Sequence, residues 1–407
     1  MQNSANSNAN FTEQNNRPQN PIKLLIYSHF FPPSVGGVET ITLALARGLA
    51  ELRVGGMPEF AITVVTQTPQ SDHDDTLFSF SVIRQPGFAQ LRALIKESDL
   101  LHVAGPALGA LFCGWIAGKP MVLEHHGFQA ICPNGQLLIE PEDAPCPGHF
   151  MAGNHRKCLS CNSGAGWLAS GKLWILTFVR RFFANQVKAN ITPTRWLGGL
   201  LKLPNVIDIP HGIEANSLVA SSVATTAGDP VIAFQGRLVT TKGVRLLFEA
   251  ALLLRERGRA FQLLIIGDGP ERASLEHLAR ETNLAAQVTF AGRLPKAQLE
   301  GALSRAFVVV VPSLGGEVFG LVLVENMQRS LPIVASDLGA FTEVLGGAGV
   351  TFRTGEAGEL ARQLELLLDD PAKAVQFGRL GHQRMLEFFG RGRMIEKHAS
   401  VYRRFAT

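Results

Sequence analysis

The chain has 407 residues, 46% apolar and 18% charged, with a formal net charge of +4 and a pI near 8.9. That length is too great for one ordinary core and implies two or three domains, and the balance excludes a disordered chain. The mild positive charge suits an anionic ligand or an acidic membrane surface. Without a block of Lys and Arg it makes no case for nucleic acid.

Residues 1–20 are polar and Asn-rich, with neither a basic n-region nor an apolar h-region. They read as a disordered tail without a secretory signal. A first α/β series follows. "IKLLIYSHF" is a buried strand, "GGVETITLALARGLAE" a helix, "FAITVVTQT" a strand and "FAQLRALIKES" a helix. Next come "DLLHVAG" as strand, "PALGALFCGWIAG" as helix and "PMVLEHHG" as strand. The uncharged run Leu100–Gly118 is broken by Gly105-Pro106, so it reads as this strand and helix, not as a membrane span. A long apolar helix and a short strand follow from Gly166. Its Arg180-Arg181 pair among Trp174, Phe178, Phe182 and Phe183 suits either a membrane interface or a helix buried on one side, with the arginines snorkelling to solvent. The second alternative is preferred.

The texture changes at 214–230, a small and polar linker. Strand and helix patterns then alternate again from "VIAFQG" to "PIVASD", and the chain ends in helical segments. The expected architecture is α/β: two Rossmann-like, doubly wound domains facing a cleft, over 21–213 and 231–385. A C-terminal helix at 386–407 crosses back. Ligands should bind at the carboxyl ends of the strands.

Several strand-end loops carry suggestive residues. Gly36-Gly37 precedes a helix and would let a phosphate approach its N-terminus, or is a plain turn. Arg237 and Lys242 share a loop after a strand and suit a diphosphate, or are solvated cations. In "GGEVFGLVLVEN" a helix should begin near Gly320, presenting free N–H groups to an anion. Glu325 then fits a ribose and Glu317 a hydroxyl of a second sugar, since carboxylates accept from hydroxyls; solvated charges are the alternative. The bracketed ligand is a nucleotide-sugar.

The segments "PPSVGGVE", "ITPTRWL", "IPHGIE", "FQGRLVTTKG", "LLIIGDGP", "VTFAGRLP", "PSLGGEVFGLVLVENM" and "SDLGAFTEVL" together resemble the retaining GT-B glycosyltransferases of family 4. The resemblance spans roughly 22–405 and is best in the second half. It implies that Arg237 and Lys242 bind the donor diphosphate, Glu325 the ribose and Glu317 the transferred sugar. It places Gly36 and Gly37 near the phosphates and Arg293 and Leu294 near the base. The N-terminal turn Phe319, Gly320, Leu321 and Val322 joins the donor contacts. His126 matches the family's strand-end histidine before "CP", although Gly127 stands where that motif has Asp. The implied catalytic set is His126, Arg237, Lys242 and Glu317. Transfer with retention to a glycan or lipid-linked acceptor, without an obligatory metal, is the implied activity. Cell-surface polysaccharide or glycolipid synthesis is the implied setting, in the cytoplasm or at the inner face of the membrane as a peripheral protein. A sugar-nucleotide epimerase and a degenerate binding subunit are the alternatives. A dinucleotide oxidoreductase is disfavoured, because "IGDGPERA" is not a G-x-G-x-x-G.

Cys132, Cys146, Cys158 and Cys161 lie in a Pro- and Gly-rich insertion, 132–161, expected to be poor in regular structure. Their spacing leaves a structural zinc, free cysteines and disulfides open. Cys113 reads as core, and the D-x-D of Asp72 and Asp74 as a solvated loop.

Overall fold

A computed structural model of the protein describes residues 20–71, 74–161, 164, 166–215 and 228–406. The expected tail apart from Asn20, most of the expected linker (216–227) and Asp72 lie outside the described residues. Among the described residues, two parallel sheets organise the chain.

The first holds β1 (Ile22–Ser28), β2 (Phe60–Thr66), β3 (Ser81–Arg84), β4 (Leu100–Ala104), β5 (Met121–Glu124), β6 (Ala189–Thr192) and β7 (Val206–Asp208). Their spatial order is β7-β6-β5-β4-β1-β2-β3. The second holds β8 (Val231–Gln235), β9 (Gln262–Ile266), β10 (Val288–Gly292), β11 (Ala306–Val311), β12 (Ile333–Ser336) and β13 (Val350–Phe352), ordered β10-β9-β8-β11-β12-β13. Both orders reverse beside the first strand of the domain, which opens a crevice at the carboxyl ends of β1 and β4 and of β8 and β11. Central strands are buried on both faces, so β4 and β11 are apolar or buried throughout, without alternation. The short β3, β7 and β13, each only partly buried, are strands the sequence pattern did not single out.

The run at 100–118 is a strand and the short helix Leu108–Ile116, and among the described residues no helix is long and apolar enough to cross a membrane. Asp74 caps a turn, its Oδ1 accepting from the Thr76 N–H at 3.0 Å. The insertion is more regular than expected. It contains the ribbon Leu138–Ile139/Ala144–Pro145 and the helix His155–Cys161.

The chain passes between domains twice, and the two passages lie side by side. Ile213 N–H donates to Phe389 O at 2.9 Å, and Arg391 N–H to Ile213 O at 2.8 Å. A Cβ on Gly212 would stand 2.7 Å from Gly390 O, so this close approach requires glycine. The helix Pro371–Phe388 packs on the second domain, against Leu321–Gln328. The helix Arg391–Phe405 instead joins the first-domain core, burying Met394, Ile395, Ala399 and Tyr402 beside the helix Gly37–Glu51. Ile395 Cδ1 occupies the space where Gly48 would carry a Cβ.

Replacing Ile395 by Ala removes that contact and leaves a cavity. The expected cost is about 2–5 kcal/mol of first-domain stability, read as an earlier urea transition. An unchanged transition would show that the last helix is not part of that core.

Candidate active site

The loops after β8 and β11 build the second domain's side of the cleft. Three glycines make their close packing feasible. Gly243 has φ +64, and a Cβ there would stand 2.0 Å from Pro312 O; Gly320 has φ +88, with Phe341 at 2.5 Å. Gly316, φ +76, turns the segment between them. Leu314 N–H donates to Thr241 O at 2.8 Å and ties the two loops together. Lys242, on the short turn Thr240–Lys242, forms an ion pair with Glu317, which also accepts from Ser313 Oγ at 3.2 Å. The cation and the carboxylate expected to handle phosphate and sugar are therefore direct partners. Arg237 is exposed at the rim of the same loop.

The helix Leu321–Gln328 starts where its sequence suggested and aims its N-terminus at the cleft. Glu325 sits on its second turn. Its Oε2 accepts from Gln235 Nε2 at 3.0 Å, at the end of β8. Burial pushes the Glu325 carboxyl up, against the opposing pull of Arg329 and Gln235. Arg293 is exposed after β10, and Leu294 packs partly buried behind the cleft. Val322 is partly buried on the same helix. The ring of Phe319 is 2% exposed, held between His211 at 5.0 Å and Phe389 at 5.6 Å, so its side chain packs between the passages.

Gly36 and Gly37 approach from the opposite side. Gly36 is extended, and a Cβ there would lie 2.5 Å from the Glu39 carboxylate, which accepts from Ser34 Oγ at 2.8 Å. A Cβ on Gly37 would stand 3.4 Å from Leu321 Cδ1. The N-termini of the two helices at the two switch points thus face each other across the domain boundary. Further bonds span it. Thr194 Oγ1 donates to Val318 O at 3.0 Å, Gly316 N–H to Gln136 O at 2.7 Å, and Trp196 N–H to Glu343 Oε2 at 2.8 Å.

Beneath the first-domain side lies a buried carboxylate, Glu124 of β5, 1% exposed. Four imidazoles surround it: His102 Nε2 at 3.2 Å, His126 Nε2 at 3.5 Å, His211 Nδ1 at 3.7 Å and His398 Nε2 at 3.7 Å. Tyr402 Oη lies 3.0 Å from His102 Nδ1. Burial holds the Tyr402 phenol well above its usual range, so it stays protonated beside His102. Burial alone would raise the Glu124 carboxyl, but His126, His102 and His398 pull it well below the carboxylate range. His126 therefore points its Nε2 at Glu124 and stacks on His211 at 5.3 Å. His125 turns away to Asn190 Oδ1, at 2.9 Å. The ligand atoms of Glu124, His126 and His211 lie within 4.8 Å of one another, close enough to hold a cation. Glu124 Oε1, His126 Nε2 and His211 Nδ1 make no hydrogen bond among the described residues.

The four insertion cysteines form no disulfide among the described residues and line one cavity of about 160 Å³. Cys132 Sγ donates to Asn134 Oδ1 at 2.9 Å, and Asn134 Nδ2 to Cys161 Sγ at 3.6 Å. Burial and the neighbouring thiols push Cys158 up to about 12.

Comparison with known proteins bears on this geometry. Residues 221–384 match the family described as Glycosyl transferases group 1. Over 165 residues the chain is 33% identical to 2-deoxystreptamine glucosyltransferase of Streptomyces kanamyceticus, covering 40% of this chain and 42% of that one. Over 172 residues it is 37% identical to phosphatidyl-myo-inositol mannosyltransferase of Mycobacterium leprae, covering 40% and 44%. The matched stretch spans less than half the length of these relatives. Solved structures superpose over nearly the whole chain. Anabaena HepE in complex with UDP-glucose gives a TM-score of 0.70 at 18% identity, covering 94% of this chain and 100% of that one. Sucrose-phosphate synthase of Thermosynechococcus elongatus gives 0.72 at 20% identity, covering 94% and 99%.

The fold is GT-B.

Within this GT-B chain the sequence reading missed Glu124, His211 and His398 as one centre. They come from a strand, a domain passage and the last helix, so no local spacing links them. The one available signal was the "EHH" at the end of a buried strand, a charge where none is expected.

The histidines make stability depend on pH. Burial depresses His125 to about 4 and His211 to about 3, against hydrogen bonding from Asn190 and attraction from Glu124 respectively. Below about pH 6.5 the unfolded chain binds protons that the folded chain refuses. This contribution is complete above that pH and is lost as pH falls toward 4 and then 3. The melting temperature should drop between pH 7 and 5, less steeply in His211→Asn. Equal slopes in both proteins would contradict the assignment.

Proposed function

We propose that the chain is a retaining glycosyltransferase that moves a sugar from a nucleotide-sugar donor to a glycan or lipid-linked acceptor. Cell-surface polysaccharide or glycolipid assembly is the proposed setting. The observation that supports this reading is the Lys242–Glu317 ion pair between the loops after β8 and β11, with Arg237 exposed in the first loop, Glu325 on the helix after the second and Gly37 against Leu321 at that helix's start. Its second-domain location coincides with the family match at 221–384.

In this reading the donor diphosphate lies between Arg237, Lys242 and the N-terminus of the helix Leu321–Gln328. Fixed cations and helix N–H groups then stabilise the leaving nucleotide, the part a metal plays elsewhere. Incoming phosphate competes with Glu317 for Lys242, which frees the Glu317 carboxylate to accept from the transferred sugar. Glu325, already oriented by Gln235, accepts from the ribose. His126, fixed by Glu124, borders the sugar from the first domain. The donor is a UDP-, GDP- or ADP-sugar. HepE, of the same fold, has been solved with UDP and with UDP-glucose, which makes UDP-sugars the first to test.

The insertion supports this site mechanically. Its Gln136 carbonyl holds Gly316, beside Glu317, and Leu138 packs on Gly315. Four thiols around one cavity suit a structural zinc in kind, and Zn–S bonds of about 2.3 Å would draw the sulfurs together. Metal analysis of the purified chain tests this: stoichiometric zinc supports it, and four reactive thiols without zinc would contradict it.

A thermal-shift panel of UDP, GDP, ADP and their sugar conjugates tests the donor site. One nucleotide series should raise the melting temperature of the wild type. Glu325→Ala should weaken that binding by about 10–100-fold, the value of hydrogen bonds to a charged group. Lys242→Ala should lower kcat by about 100–1000-fold. Binding without any turnover would favour a degenerate subunit, and no binding by any nucleotide would remove the reading's main support.

A further inference from the structure

The sequence left open whether the helix around Arg180-Arg181 faces lipid or simply snorkels its arginines to water. In the structure the arginines do neither. Arg181 Nη1 turns inward and donates to Leu201 O at 3.0 Å, while burial depresses the Arg180 guanidinium. What faces outward is apolar. Leu168, Ile175 and Phe182 stand at seven-residue intervals along the helix Trp167–Ala184, and they are 92%, 55% and 48% exposed. That interval keeps them on one stripe.

The stripe continues onto the neighbouring helix Leu108–Ile116, which exposes Phe112, Trp115 and Ile116. Trp115 and Phe182 meet edge to face at 6.0 Å, so the two exposed faces are contiguous. Scattered exposed apolar residues are ordinary; a continuous aromatic and aliphatic face is not. Its charge surround is mainly basic. Neither central helix contains Asp or Glu. The helix His155–Cys161 packs on one side with exposed Arg156 and Lys157. The helix Phe88–Glu97 packs on the other with exposed Arg92 and Lys96, and Glu97 is the one acid in these four helices.

We propose that this face docks the first domain onto an anionic lipid surface, the stripe entering the headgroup boundary and the flanking cations meeting lipid phosphates. The charge pattern selects this occupant. A second copy would bring one basic rim against another, whereas an anionic bilayer complements rim and stripe together. The face lies on the side of the first sheet away from the last helix, so it stays open while the cleft works. It rests on surface residues alone and does not depend on the donor assignment.

Flotation of the purified full-length chain with vesicles tests it. Neutral phosphatidylcholine vesicles are compared with vesicles also containing phosphatidylglycerol, for the wild type and for Ile175→Glu/Phe182→Glu. Both substituted positions are exposed, so an unchanged melting temperature verifies the variant's fold. The wild type should bind the anionic vesicles at least ten-fold better than the variant, with binding weakened by salt. Equal binding of both proteins, or none by the wild type, would overturn the proposal. So would a wild-type dimer in light scattering that the substitutions make monomeric, because the face would then belong to self-association.

Discussion

One buried carboxylate holds together segments that the chain order keeps far apart. Glu124 ends β5, and the imidazoles around it come from β4, from the loop after β5, from the first domain passage and from the last helix. An ionised carboxylate without partners is very costly in such a place, so these segments must converge for the charge to be tolerated. Their convergence fixes where the C-terminal helix docks. It also fixes the passage at His211, against which Phe319 packs from the second domain. The relative placement of the domains, and with it the width of the cleft, depends on this centre.

The fold itself was largely legible. Buried strands such as β4 and β11 announce themselves as short apolar runs between turn residues, and their alternation with amphipathic helices dictates parallel sheets. β3, β7 and β13 were not legible because they are short, partly buried sheet-edge strands without a strong apolar pattern. The helix start at Gly320 could be read from glycine, which the left-handed turn before the helix requires. Phe319 shows the limit of that reading. Adjacent residues of one loop can serve opposite ends, and only packing shows that this ring faces the passages.

The candidate site divides the same way. Glu317, Glu325, Arg237 and Lys242 stand in local motifs after strands, so spacing alone could pick them out. Their pairing could not be read, because Lys242 and Glu317 belong to different loops brought together by Gly243 and Gly316. The histidine centre was invisible for the stronger reason that it is wholly tertiary. The helix Trp167–Ala184 was read as suiting a membrane interface or, preferably, as buried on one side with its arginines at solvent, whereas Arg181 turns inward. A guanidinium can be satisfied by backbone carbonyls as well as by water, and Arg181 takes the carbonyls.

The central claim is that a diphosphate lies where the two switch-point helices face each other. A crystal structure of the chain with the nucleoside diphosphate that it binds best tests this most directly. The account predicts phosphate oxygens within hydrogen-bond reach of Arg237, of Lys242 released from Glu317, and of the backbone N–H groups at Gly320 and Leu321. Glu325 should then hold the ribose. A nucleotide bound elsewhere, or one in the cleft with Lys242 still paired to Glu317 and the helix N-terminus unoccupied, would contradict it.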